Sequence, residues 1–302
     1  MKTRHLLRQG PVLGALGKAA VTAIRYQIHA GKHEAAGPAP AIPGPELRER
    51  VPARDPRLIR DYIRHVGGSP GSYKGVVPPH LFPQWAFPIL ARTLDGLSYD
   101  VSRMLNAGCK MEVLRPLPAG EPLEFRAHLE EVDDDGRRAI MTQHLVTGTA
   151  TAPDALRCEV HPIIPLGGGG GGKKKKKDKP RVPVDAREID RWRLSTKVGG
   201  TYASLTGDVN PIHWSLSYAR MSGFRSVILH GFSGMARTVE SLNKGLWSGR
   251  ADRLESAEFR LVRPVVLPAR VGVYVDDRGG VWAGDAPGGP AYVTGTYTTR
   301  NG

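Results

Sequence analysis

The sequence predicts an α+β fold built twice, each copy pairing a helix with antiparallel strands. Three observations carry that expectation: short strings that recur at a nearly constant offset, alternating apolar stretches after each recurrence, and a glycine-lysine run between the copies. Ala91-Arg92-Thr93-Leu94 returns as Ala236-Arg237-Thr238-Val239, an offset of 145, and Arg115-Pro116-Leu117 returns as Arg263-Pro264-Val265, an offset of 148. Matching order and near-equal offset point to duplication, and 302 residues hold about two domains of ~150 residues each.

The elements follow in order. Residues 1–45 are a basic leading segment ending in a flexible Pro/Ala-rich stretch. Lys2, Arg4 and Arg8 precede the apolar Pro11 to Gly17 as in an export signal, but Lys18 and Arg25 cut it short, so export is not expected. A basic helix lying on a membrane surface over residues 2–28 is the alternative there. Residues 46–166 form the first folded half. A helix is expected over 84–95, after a proline-broken approach, with Pro88 making its start irregular. Leu123, Phe125, Ala127 and Leu129 alternate as in a half-buried strand, and the Thr/Val-rich Met141 to Ala152 reads as another. Residues 167–182, six glycines followed by lysines and Pro180, are too flexible and self-repelling to pack and read as a linker. In the second half, 183–302, Ile189, Trp192, Val198, Tyr202 and Leu205 suggest one broken helical stripe, and residues 231–243 a later helix carrying Met235, Val239 and Leu242 on one side. Val271, Val273 and Val275 alternate, and Ala291 to Thr299 mirrors the Thr/Val-rich strand of the first half. Each half is thus expected to begin with a helix and end in strands.

Composition narrows the function. A 40 % apolar and 24 % charged chain is that of a folded protein and excludes a fibre or a disordered tail. The formal charge is +14, and the run Lys173 to Lys179 accounts for only part of it, so an anionic partner is favoured. No nucleic-acid module is recognisable, and nucleic acid is not expected as a partner. No segment approaches the ~20 apolar residues of a membrane span. The glycine run imitates nucleotide-binding patterns but stands between no strand and helix, and Lys174 occupies the place of the required Ser/Thr. Cys109 and Cys158 lack the short paired spacing of a zinc cage or redox dithiol, which favours a reducing, cytoplasmic compartment.

The stretch Tyr202 to His213, continued by His230-Gly231, concentrates the chemistry. Asn210 before Pro211 reads as an N-cap followed by a first-turn proline, so the chain turns sharply between Asp208 and His213. A carboxylate and an imidazole brought together by that turn can share one water and act as acid and base without a cofactor. Gly231 opens a helix, where free amides and the helix dipole suit a developing negative oxygen. Asp208 and His213 are two metal-ligand types without a defined third, so no metal is expected. His65, His80, His128, His144 and His161 have no comparable carboxylate-and-turn setting and read as structural or surface residues. Tyr202 and Trp214 read as packing residues.

The stretch Tyr202, Gly207-Asp208-Val209-Asn210-Pro211-Ile212-His213 and His230-Gly231 resembles the signature of the MaoC-like dehydratases and (R)-specific enoyl-CoA hydratases. The resemblance covers residues 185–300, and the linker-bearing layout is similar to that of two-domain 3-hydroxyacyl-thioester dehydratases of fatty-acid metabolism. It implies a double hot-dog fold, each half a long helix wrapped by a curved antiparallel sheet, with a degenerate first half lacking the motif where Ile63 to Gly68 stands. It implies Asp208 and His213 as catalytic residues, Asn210 as their support and the Gly231 amide as the group polarising the thioester. It further implies hydration or dehydration of an acyl-CoA or acyl-carrier-protein thioester, with CoA or phosphopantetheine present only as part of the substrate. Arg260, Arg263 and Arg270 are expected to contact its phosphates or the acidic carrier, unless they are plain strand-edge charges. Loss of the first-half motif is expected to leave room for a long acyl tail beneath Pro79 to Pro88. The chain is expected either as a pseudo-dimeric monomer or as a homodimer. The competing readings are a hot-dog thioester hydrolase and a non-catalytic acyl-thioester-binding protein.

Overall fold

A computed structural model describes residues 40–100, 103–166 and 179–300. Residues 167–178 of the expected linker lie outside the described residues, as does most of the leading segment, whereas the linker's end packs: Val182 is buried and its N–H donates to the Gly289 carbonyl at 2.9 Å. Ten strands make one antiparallel sheet: β1 (Leu47–Val51), β2 (Leu105–Val113), β3 (Leu123–Asp134), β4 (Arg138–Gly148) and β5 (Leu156–Pro165) in the first half, then β6 (Arg187–Leu194), β7 (Leu254–Leu261), β8 (Ala269–Val275), β9 (Gly280–Gly284) and β10 (Ala291–Thr299). Their order is β1-β3-β4-β5-β2-β7-β10-β9-β8-β6. Read inward from either edge, the order is the same with every number raised by five, so the duplication is written into the topology. The copies join where β2 pairs with β7, with Cys109 opposite Phe259 and Met111 opposite Ala257, all four buried.

Among the described residues there are five α-helices: α1 (Pro56–His65), α2 (Pro83–Arg92), α3 (Val198–Thr206), α4 (Leu216–Met221) and α5 (Gly231–Gly245). Asp55 caps α1 by accepting from Arg57 N at 2.7 Å, with Pro56 in the first turn where its missing N–H is not needed. Every residue of α5 from Phe232 to Asn243 is buried, which makes it the central helix of the second half. Phe232 packs edge-on against Phe82 of the first half with ring centroids 5.4 Å apart, so the two halves share one core. The double hot-dog architecture implied by the resemblance is the one observed. No helix among the described residues is long and apolar enough to cross a membrane.

Several local expectations are corrected. Both halves begin with a strand, β1 or β6, and not with a helix. The broken stripe is two elements: Ile189 and Trp192 lie on β6, while Val198, Tyr202 and Leu205 lie on α3. The β6–β8 ladder slips between Glu188 and Asp190, leaving Ile189 as an extra residue, and such a bulge changes which face the following side chains take. Ile189 and Trp192 therefore share the face toward α5, where the Trp192 indole donates to Ser241 Oγ at 3.0 Å, and their spacing imitates a helix. The first-half helix ends at Arg92, and the strand expected over Met141 to Ala152 stops at Gly148, where Thr149 accepts a turn from Ala152.

Candidate active site

Two helices of matching origin end in the same way. Gly67 follows α1 at φ +90° and Gly207 follows α3 at φ +82°, a left-handed conformation that glycine adopts without strain. After Gly207 comes Asp208; after Gly67 comes Gly68. In the second half the chain then turns as the sequence predicts: Asn210 accepts from Ile212 N at 3.2 Å, and Pro211–His213 forms a 3-10 turn. The backbone N–H of Asn210 donates to Asp208 Oδ1 at 3.4 Å, which holds the carboxylate over the bend.

His213 Nδ1 lies 2.9 Å from the Ile228 carbonyl, so it carries the proton and leaves Nε2 free for the pocket. The His230 ring stacks on that of His213 with centroids 3.7 Å apart, and its Nε2 donates to the Asp208 carbonyl at 3.1 Å, 4.0 Å from Asp208 Oδ2. Asp208, His213 and His230 each offer a ligand-type atom within 4.8 Å of the others. The third ligand-type residue that the sequence left undefined is therefore His230, which reads there only as the residue before Gly231. Two of its imidazole nitrogens are spent on backbone carbonyls, an arrangement that fixes the rings as well for proton transfer as for metal binding.

Burial dominates the electrostatics. It raises the Asp208 pKa, an effect partly offset by His213, and it lowers that of His213, partly offset by Asp208. The two groups are held toward their neutral forms and titrate as a unit. Burial, reinforced by His213, drives His230 well below the usual imidazole range. Tyr202, a buried packing residue as expected, has its ring 4.7 Å from that of His230. Trp214 is not a packing residue: it is 43 % exposed, its indole N–H donating to the Val209 carbonyl at 3.0 Å.

Gly231 begins α5. No side chain caps that end, so its first-turn amides are uncommitted. Asp208, His213 and Gly231 line one cleft of 2390 Å³ that continues into the first half along Leu90, Leu94 and Tyr99. That volume exceeds the ~300–1,000 Å³ of ordinary small-molecule sites. The room for a tail lies farther along than expected: residues 80–86 are buried core, and only Phe87 and Pro88 of the Pro79 to Pro88 segment reach the cleft. Arg260 and Arg263 line its mouth; Arg270 does not, standing on β8 opposite Arg193. The Arg263 guanidinium is spent on the backbone carbonyls of Lys179, Pro180 and Ala291, whereas Arg260 is 77 % exposed beside Glu258.

His80 is a further correction. It does have a carboxylate: its Nε2 lies 3.1 Å from Glu240 Oε1, both side chains essentially fully buried, with Tyr73 OH 3.2 Å from the same nitrogen and Tyr62 OH donating to the His80 carbonyl at 2.7 Å. Glu240 comes from α5, 160 residues away, so no local pattern announced the pair. A Cβ on Gly68 would stand 2.3 Å from the Glu240 carboxyl carbon. The second-half helix thus puts a carboxylate where the first half has lost its counterpart of Asp208.

A double hot-dog chain with a carboxylate-imidazole pair facing an uncapped helix N-terminus has the make-up of a hydro-lyase. Residues 177–285 match the family model described as a MaoC like domain, which identifies the second half as a MaoC-like dehydratase domain. Among curated relatives, 3-hydroxyacyl-thioester dehydratase X of Mycobacterium tuberculosis is 24 % identical over 264 residues, 82 % of this chain and 88 % of its own length. A probable enoyl-CoA hydratase 2 of Dictyostelium discoideum is 22 % identical over 61 % of this chain and 65 % of its own. Among solved structures, HtdX of Mycobacterium tuberculosis superposes with a TM-score of 0.68 at 19 % identity, covering 85 % of this chain and all of that one. A MaoC-like dehydratase from Phytophthora capsici gives 0.68 at 22 % identity, over 85 % and 95 % of the two chains.

Proposed function

We propose that the chain catalyses the reversible syn addition of water across C2–C3 of a trans-2-enoyl thioester, giving the (3R)-hydroxyacyl thioester, with Asp208 and His213 as the acid-base pair. The observation that carries the reading is their approach to within 4.8 Å at the cleft wall beside the first turn of α5. One water held between the Asp208 carboxylate and His213 Nε2 loses a proton to the pair as its oxygen bonds to C3; the pair returns a proton to C2 on the same face. Dehydration runs the same transfers backward. In either direction charge develops on the thioester oxygen, and the Gly231 N–H donates to it, a contact worth about 3 kcal/mol. Asn210 supports the bend through its cap on Ile212.

The first half, about residues 46–166, contributes no dyad to this cleft and takes the acyl tail along Leu90, Leu94 and Tyr99. The second half, 183–302, provides the chemistry, with 167–182 as the tether. One chain contains both copies, so a pseudo-dimeric monomer with one site is the working unit. Arg260, exposed at the mouth with only a 3.7 Å contact to Glu258, is the cation offered to a phosphate of CoA or of a carrier's phosphopantetheine, while Arg263 organises the backbone there and Arg270 serves solubility. Two unpaired buried cysteines accord with a cytoplasmic setting.

The test is incubation with a trans-2-enoyl-CoA. Loss of the conjugated absorbance without release of free thiol supports the reading; thiol release would make the protein a hydrolase, and neither change a binding protein. Asp208→Asn should abolish turnover while leaving the melting temperature nearly unchanged.

A further inference from the structure

The first half reaches the reacting end of the cleft through β2. The β2–β5 ladder slips between Asn106 and Gly108, so Ala107 is an extra residue and the strand bulges at the seam between the halves. Gly108 has no room for a side chain, since a Cβ there would stand 2.4 Å from the Phe259 carbonyl oxygen of β7. Bulges re-aim the side chains beside them. Here the re-aimed residue is Asn106, the first-half side chain nearest to Gly231: its Cβ and Nδ2 each lie 3.7 Å from the position a Cβ on Gly231 would take.

The orientation of the amide is settled by its other end. Gly108 N donates to Asn106 Oδ1 at 3.0 Å, so the oxygen is committed to the bulge and the NH2 group points away from it. No described residue accepts from that NH2 group. It stands in the cleft that Asp208, His213 and Gly231 also line. A donor with no acceptor among the described residues, held by its own carbonyl and placed beside the amide that opens α5, is arranged for an oxygen that arrives with the substrate.

We propose that Asn106 is a further catalytic residue, its Nδ2 donating to the thioester oxygen together with the Gly231 N–H, so that the half without a dyad completes the site for the developing enolate. The inference rests on the hydration reading above. Its chemistry is a hydrogen bond that strengthens as charge moves onto the oxygen; no bond to Asn106 forms or breaks. A contact of that kind acts on kcat more than on KM.

Asn106→Asp and Asn106→Ala separate this role from a structural one. Aspartate keeps the Oδ acceptor that Gly108 needs and removes the donor; alanine removes both. Both full-length variants, assayed on a trans-2-enoyl-CoA near neutral pH, should lose on the order of 10²-fold in kcat, with KM changed far less and aspartate no better than alanine. The melting temperature of Asn106→Asp should stay near that of the parent. Parent-like kcat in Asn106→Asp beside a loss in Asn106→Ala would overturn the proposal and make Asn106 a prop for the bulge. Should alanine fail to fold, the aspartate result alone decides. Asp208→Asn in the same series keeps the two readings apart: residual activity there indicts the hydration mechanism, whereas an inactive Asp208→Asn with a fully active Asn106→Asp removes only the second donor.

Discussion

Gly199 touches no substrate, yet replacing it by alanine should stop most of the chemistry. It sits in the first turn of α3 with ordinary backbone angles, so the substitution carries no conformational penalty and by helix propensity alone would stabilise the chain by about 0.5–1 kcal/mol. The obstacle is steric. A Cβ at 199 would lie 1.9 Å from the His213 carbonyl oxygen, and real Cβ atoms are essentially never found under 3.0 Å, so the turn bearing His213 must retreat by about 1.1 Å. The atom in the way is backbone, which no rotamer change can remove. A misplacement of ~1 Å in a catalytic group reduces rate on the order of 10²-fold, about 2.7 kcal/mol in the barrier. Gly199→Ala should therefore show a kcat for enoyl-CoA hydration lower by that factor, read from the loss of conjugated absorbance, with a cooperative thermal transition. A variant with parent-like kcat would show that the distance from Asp208 to His213 does not govern the rate, and the mechanism would have to be abandoned in its present form.

Gly68→Ala should lower the melting temperature, because its Cβ would run into the buried Glu240 carboxylate, a strain of about 1–3 kcal/mol; an unchanged transition would mean that the carboxylate yields freely. The pH dependence of stability has a definite sign. His230 is depressed well below ~6.5 when folded, so below that pH the unfolded chain binds more protons, and stability present above ~6.5 is lost as pH falls; His230→Asn should flatten the slope seen in urea titrations. The acid limb of kcat/KM should lie above the ordinary carboxylate range near ~4, since burial raises Asp208, and a limb at or below that value would contradict the geometry. Ala91→Phe, which narrows the far end of the cleft, should reduce kcat/KM for long acyl chains by about tenfold or more and leave short ones almost unaffected; equal losses across a chain-length series would place the tail elsewhere.

What the sequence disclosed depended on distance along the chain. Asp208, Asn210 and His213 lie within six residues, so their turn chemistry was visible, and Gly231 could be placed because the amphipathic run over 231–243 begins at it. The strands showed where one face is buried, as at Leu123 to Leu129, and deceived where a bulge broke the alternation, as at Ile189. The stacking of His230 on His213, Asn106 and the His80–Glu240 pair escaped notice for a common reason: each is defined by a neighbour from another element, and no periodicity encodes such a meeting. Their only local traces are the glycines at 68, 108 and 231, where a neighbour comes too close for a side chain.

The carboxylate lodged beside Gly68 also acts as a ratchet on the history of the molecule. Putting an acid at that position brings it into collision with Glu240, and deleting Glu240 first takes the carboxylate from a buried histidine; either route passes through a damaged intermediate. No single amino-acid change can restore the twofold symmetry that the ten strands still display. A dyad in the first half is therefore out of reach by small steps at this position.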